Sequence, residues 1–205
     1  MAAAVSLKLR DERFQPAIKM QVLIYPVTQG VDFQLPSYEK NSRGPILTRP
    51  DMTTFVNLYL DGRVDKVALF QNNSHISPST KQSLAKSHFN VDRLPEKYRS
   101  GYTRPSLDYG DEKIWNEVKD KLMDPYFSPL VAESLTDLPM SYVFAAEHDP
   151  LRDDGMLYAA RLREAGTKVK HVHSDIGVHG LMSFGVTTEA KDCLCEMTKF
   201  ISENL

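Results

Sequence analysis

Apolar and polar positions near the C-terminal end of this chain alternate between strand-like and helix-like periods. The run "PMSYVFAAE" (139–147) is short, apolar and rich in β-formers, which predicts a buried strand. In "DDGMLYAARLREAGT" (153–167), Tyr158, Leu162 and Ala165 share one face of a helix, and Gly166 stands where a helix-ending glycine belongs. "KVKHVHSD" (168–175) alternates as a half-buried strand does, and "AKDCLCEMTKFISENL" (190–205) predicts a closing amphipathic helix. Upstream, "AAAVSLKLRDE" (2–12) is made of good helix formers, and "KMQVLIYPV" (19–27) reads as a strand stopped by Pro26. "TRPDMTTFVNLYLDG" (48–62) has Pro50 near a helix start and Gly62 after its last apolar residue. The stretch 71–138 mixes polar turns, prolines and short apolar groups. It predicts short helices and loops, within an excursion of about 28–138 between two core strands.

Strand, helix, strand, helix implies a parallel sheet with right-handed crossovers, hence the α/β class. In such sheets chemistry gathers in the loops at the carboxyl ends of strands. Two of those loops carry candidate groups: "EHDPLRDDG" (147–155) with Asp149, and "DIGVHG" (175–180) with His179. One strand–helix–strand crossover separates the two residues, which is the spacing that sets neighbouring strand ends side by side. A carboxylate beside an imidazole fixes its tautomer and stabilises the imidazolium formed when it takes a proton. Acid before base is also the chain order of α/β serine hydrolases. Asp153 or Asp154 is expected to cap the following helix.

Composition changes this picture little. The 205 residues suit one domain, and 41% apolar with 25% charged residues is ordinary for a globular chain. A net charge of −2 removes any electrostatic case for nucleic acid or an anionic membrane surface. No run of 18 apolar residues and no signal-peptide pattern occurs, so the chain is expected neither to span a membrane nor to address itself to one. Cys193 and Cys195 point in different directions on a helix and suggest packing rather than a disulfide. His171 and His173 in "HVH" share a strand face near Asp175 and His179. A metal site is conceivable there, but the simpler expectation is an outward-facing pair with no metal, and no cofactor motif is present. Phe55, Tyr59 and Trp115 are expected to pack in a core or lid.

"DPLRDDGMLYAARLREAG" followed by "HG" resembles the hormone-sensitive-lipase group of α/β-hydrolases, and within it the arylacetamide deacetylase and neutral cholesterol ester hydrolase family. "LIYPVTQGVDFQLPSY" (23–38), "SPLVAESLTDLPMSYVFAAEHD" (128–149) and the closing "ISENL" are similar to it as well; 75–125 matches loosely. The resemblance implies a partial α/β-hydrolase fold, a parallel sheet with flanking helices and a helical lid-like excursion. It implies hydrolysis of small-molecule or lipid esters and amides, with Asp149 as acid and His179 as base of a Ser-Asp-His triad. It further implies a lumenal position at the endoplasmic reticulum membrane for a full-length member, and a glycan on Asn72 of the sequon Asn72-Asn73-Ser74.

The nucleophile of that pattern is absent. The family's serine sits in a G-D-S-A-G-G elbow, with an upstream H-G-G-G loop, and no G-x-S-x-G occurs in this chain. "AAAVSLKLRD" resembles the helix that follows the elbow, so Met1 falls just beyond the expected serine. The chain therefore reads as the C-terminal portion of a hydrolase, without turnover alone, and Ser174 and Ser183 are not expected to replace the missing serine. "QVLIYP" would lie at an exposed sheet edge open to self-association. The alternative reading is a non-catalytic truncated isoform or pseudo-hydrolase acting by protein association; an unrelated α/β binding module ranks third. Where the family has E-D-G-F before the histidine, this chain has Asp175, Ile176, Gly177 and Val178.

Overall fold

The computed structural model describes residues 1–61 and 66–205; Gly62, the expected helix stop, lies outside them. Three strands form a parallel sheet in the order β1 (Met20–Ile24), β2 (Met140–His148), β3 (Val169–Val178). β2 is the centre, with Met20 opposite Met140 on one side and Ser141 opposite Val169 on the other. Its residues from Ser141 to Ala146 are all buried, as a strand covered on both faces must be. Val143 faces a core that also holds Leu23 of β1, Ala3 and Leu7 of α1 (Ala2–Asp11), and Leu157 and Tyr158 of the crossover helix. Tyr142, Phe144 and Ala146 face the opposite way and pack with Cys193 and Phe200 of the closing helix. The strand's two-residue period thus sorts one sequence run between two cores.

Between β1 and β2 the chain makes an excursion of helices: α2 (Pro36–Lys40), α3 (Arg49–Asp61), α4 (Val67–Gln71), α5 (Pro78–Lys86), α6 (Glu96–Arg99) and α7 (Glu112–Leu122). Trp115, Val118 and Leu122 of α7 are buried in the first core. The crossover from β2 to β3 is α8 (Arg152–Glu164), and α9 (Thr188–Asn204) closes the chain, its start capped by the Thr187 side chain. Gly166 takes φ of 86° just past α8, the left-handed conformation that ends helices. Among the described residues, β1 pairs only with β2.

Three expectations need correction. β3 does not alternate: Val169 through His173 are all half-buried, because an edge strand is only partly covered on either face. It also runs through Asp175–Val178, which the pattern assigned to a loop. Neither Asp153 nor Asp154 caps α8. Leu151 occupies the cap position with no side-chain bond, while both carboxylates are buried and turned toward other segments.

Candidate acid–base site

Asp149 and His179 meet at adjacent strand ends. The His179 imidazole Nδ1 lies 2.8 Å from Asp149 Oδ2. Asp149 is 1% exposed, and its other oxygen accepts the Leu151 backbone N–H at 2.9 Å, which fixes the carboxylate before the imidazole arrives. Asn41 Nδ2 donates to the Asp149 and Glu147 carbonyls and pins the backbone of this turn.

A break in the β2–β3 register brings the histidine to this place. Ala146 faces Ser174 but His148 faces Val178, so β3 takes the longer path over this step and bulges. Gly177 lies in the bulge, where an added Cβ would sit 2.8 Å from Ser174 Oγ. Ser174 is buried and donates to Glu189 Oε1 at 2.5 Å, and Ser183 is exposed on the turn after His179. Neither hydroxyl is bonded to the imidazole.

The acids downstream of Asp149 hold the rim together. Asp154 accepts from Thr28 N and Gln29 Nε2, in the loop after β1. Burial pushes its carboxyl well above the usual range, outweighing those two bonds. Asp153 accepts from Ser37 N at 2.6 Å and from Arg152 Nε at 2.8 Å; here too burial prevails and raises the carboxyl. The helix start therefore ties the loop after β1 and the start of α2 to the end of β2. These ties carry no local sequence signal.

A second imidazole was expected to face outward and does not. His173 Nε2 lies 2.8 Å from Tyr98 Oη and 3.2 Å from Glu147 Oε2. Its partner in the "HVH" motif, His171, is half-buried and 6.5 Å away between ring centroids. Glu147, His173 and Asp175 bring one donor atom each within 4.8 Å of one another. Their carboxylates already face cations, however: Lys40 and the buried Arg152 on Glu147, Lys97 on Asp175. Burial pushes the Glu147 carboxyl up, but Lys40, Arg152 and His173 together bring it below its ordinary value. The cluster is a charge-balanced ion-pair network.

His179 borders an apolar cavity of about 360 Å³ whose walls include Val27, Met52, Phe55, Tyr59, Phe127 and Leu151. Phe55 and Tyr59 of α3 are thus exposed wall residues rather than core, and Tyr59 stacks on Phe127 at 4.7 Å. Gly30 leaves room for that stack, since a Cβ there would lie 2.8 Å from the Phe127 ring. Asn72 of the sequon is exposed at the end of α4.

The parallel sheet and its crossover helix, with a carboxylate–imidazole pair at the strand ends, are the frame of an α/β-hydrolase fold. The family model described as alpha/beta hydrolase fold matches residues 1–87 and 72–183, and the chain belongs to that family. It is 36% identical over 189 residues to neutral cholesterol ester hydrolase 1 of Bos taurus, covering 90% of this chain and 46% of the relative. It is 33% identical over 210 residues to arylacetamide deacetylase of Bos taurus, covering 100% of this chain and 52% of the relative. The chain thus spans about half the length of these curated relatives. Among solved structures, a thermostable carboxylesterase cloned from a metagenomic library superposes with a TM-score of 0.61 at 22% identity, covering 100% of this chain and 51% of that one. A bacterial heroin esterase gives 0.60 at 22% identity, covering 95% and 44%. These two likenesses establish the fold alone. Among the described residues, no helix is long and apolar enough to cross a membrane.

Proposed function

We propose that this chain supplies the acid and the base of a serine-type carboxylic ester or amide hydrolase. The observation that carries the reading is the 2.8 Å pairing of His179 Nδ1 with a buried carboxylate, on an imidazole that borders an apolar cavity. In this role a serine hydroxyl attacks the acyl carbon while His179 Nε2 takes its proton, and Asp149 stabilises the imidazolium. The imidazolium then gives that proton to the leaving alcohol or amine. Water, deprotonated by the same nitrogen, releases the acid from the acyl-enzyme. With no serine elbow in the sequence, the nucleophile belongs to polypeptide outside these 205 residues. The chain alone has no turnover.

Among the described residues, the cavity walls carry no Asp, Glu, Lys or Arg, which suits an uncharged ester or amide with an apolar acyl or aryl group. The names of the two relatives point the same way, to a cholesterol ester and an arylacetamide. A chimera in which these residues replace the matching half of neutral cholesterol ester hydrolase 1 tests the reading. It should label with a fluorophosphonate probe and turn over p-nitrophenyl acetate, whereas the 205-residue chain should do neither. In the chimera, Asp149→Asn should lower kcat by roughly 10⁴ and His179→Ala by at least as much. Chimera turnover that survives His179→Ala rejects the role of the base. Turnover by the isolated chain that His179→Ala abolishes rejects the external serine.

A further inference from the structure

We propose that Tyr25 is a positioning residue for His179, an inference that rests on reading His179 as the base. Tyr25 follows the last residue of β1 and takes φ of 47°, a left-handed conformation that is an outlier for a bulky side chain. Pro26 comes next, and the residue before a proline is ordinarily driven to extended backbone. Strain of this kind persists only where surrounding contacts over-determine it, and it gathers at functional sites.

The contacts that hold Tyr25 converge on the imidazole. Its N–H donates to the Phe144 carbonyl at 3.0 Å, and its ring stands edge-on to Phe144 at 5.2 Å. The same ring lies 5.1 Å from the His179 ring, inclined at 49°. Its hydroxyl oxygen accepts the Met182 N–H at 2.8 Å, in the turn Leu181–Ser183 just past His179 and Gly180. One side chain therefore touches the imidazole and ties down the segment that carries it. Gly180, at φ of 79°, lets the chain turn back toward that hydroxyl. Burial pushes the Tyr25 hydroxyl up to about 12, so it keeps its own proton while accepting the amide's. Asp149 bonds one edge of the ring, and Tyr25 restrains its plane. An extended conformation at position 25 would carry the phenol away from both His179 and Met182.

Proton and nitrogen NMR of the 205-residue chain tests this through the low-field His179 Nδ1–H resonance and the Met182 amide. Tyr25→Phe keeps the ring and loses the acceptor, and should speed Met182 amide exchange about five- to tenfold, the loss of one ordinary hydrogen bond. Tyr25→Leu removes the ring as well, and should shift or broaden the His179 Nδ1–H line. Tyr142→Phe is the control, because its buried hydroxyl has no hydrogen-bond partner among the described residues and its removal should move neither signal. Unchanged Met182 exchange in Tyr25→Phe, an unmoved His179 line in folded Tyr25→Leu, or equal changes in Tyr142→Phe would overturn the assignment. If Tyr25→Leu does not fold, Tyr25→Phe decides alone: faster exchange confined to Met182 and its neighbours supports the role, and unchanged exchange rejects it. The readout needs no turnover, so failure of the hydrolase reading registers separately, in the chimera.

Discussion

His173 lies midway along β3 and His179 just past its end, and each has a carboxylate partner: Glu147 at 3.2 Å for the first, Asp149 at 2.8 Å for the second. Around His173 every neighbouring charge is answered. Its Nε2 meets Tyr98 and Glu147 together, Glu147 also meets Lys40 and Arg152, and Arg152 lies 4.1 Å over the Tyr98 ring. Burial lowers the His173 pKa despite the Glu147 bond, which favours the neutral ring. His179 spends Nδ1 on Asp149, borders an apolar cavity, and has no other hydrogen-bond partner among the described residues. A carboxylate–imidazole pair marks a candidate base only when the second ring nitrogen is open to a substrate: the unpartnered Nδ1 of His173 is buried, whereas His179 borders the cavity. By that criterion His179, and not His173, is the candidate base.

The largest effect that can break this comparison is on stability. Arg152 has no exposed side-chain surface, and its removal strands the fully buried Asp153 carboxyl and takes a cation from Glu147. Arg152→Met should cost about 3–5 kcal/mol, the usual penalty for orphaning one partner of a buried pair. A shift in the urea midpoint at unchanged slope would report it. A loss below about 1 kcal/mol would mean that the His173 network is not a structural clamp.

How much of this was legible beforehand follows from the range of each interaction. The parallel sheet, the crossover helix and the approach of Asp149 to His179 follow from periodicity and strand order, which are local. The family motif added the serine's absence. The bonds from Asp153 and Asp154 to other segments were not legible, because Thr28 lies 126 residues from Asp154 and Ser37 lies 116 from Asp153. One or other of these acids therefore looked like a helix cap, the commoner use of an Asp at that position. His173 looked outward for the same reason: Tyr98 reaches it from α6, a short helix in the part of the excursion with the weakest pattern. The bulge carries one hint, Gly177, but nothing in the residue order says how far the register slips there. Tyr25 was hidden because its φ is imposed by contacts across the sheet.

A moderate effect concerns pH. His173 has its pKa lowered in the folded chain, so the unfolded chain binds the proton more readily. Its contribution to stability is complete above the ordinary imidazole value of 6.5 and is lost as pH falls from there toward the lowered folded value. His171, pushed down to about 4 by burial, acts in the same direction. Urea midpoints measured from pH 7.5 to 4.5 should therefore fall less steeply in a His171→Gln, His173→Gln double variant than in the parent chain. Equal slopes would show that neither ring is held neutral by the fold.

The smallest effect sharpens the contrast most. His179 is partly exposed, with 29% of its side-chain surface accessible, and among the described residues its only hydrogen bond is to Asp149. His179→Ala removes that bond, but Asp149 keeps the Leu151 N–H, and the space the imidazole vacates opens onto the cavity it borders, so that water can enter in its place. The expected cost is about 1.5 kcal/mol, the low end for a hydrogen bond to a carboxylate, because water takes the vacated place. A base built for proton transfer should be nearly dispensable to the fold, because residues arranged for chemistry are seldom those that hold a structure together. A urea midpoint for His179→Ala lowered as far as that of Arg152→Met would place His179 with His173 among the structural groups, and the hydrolase reading would lose its base.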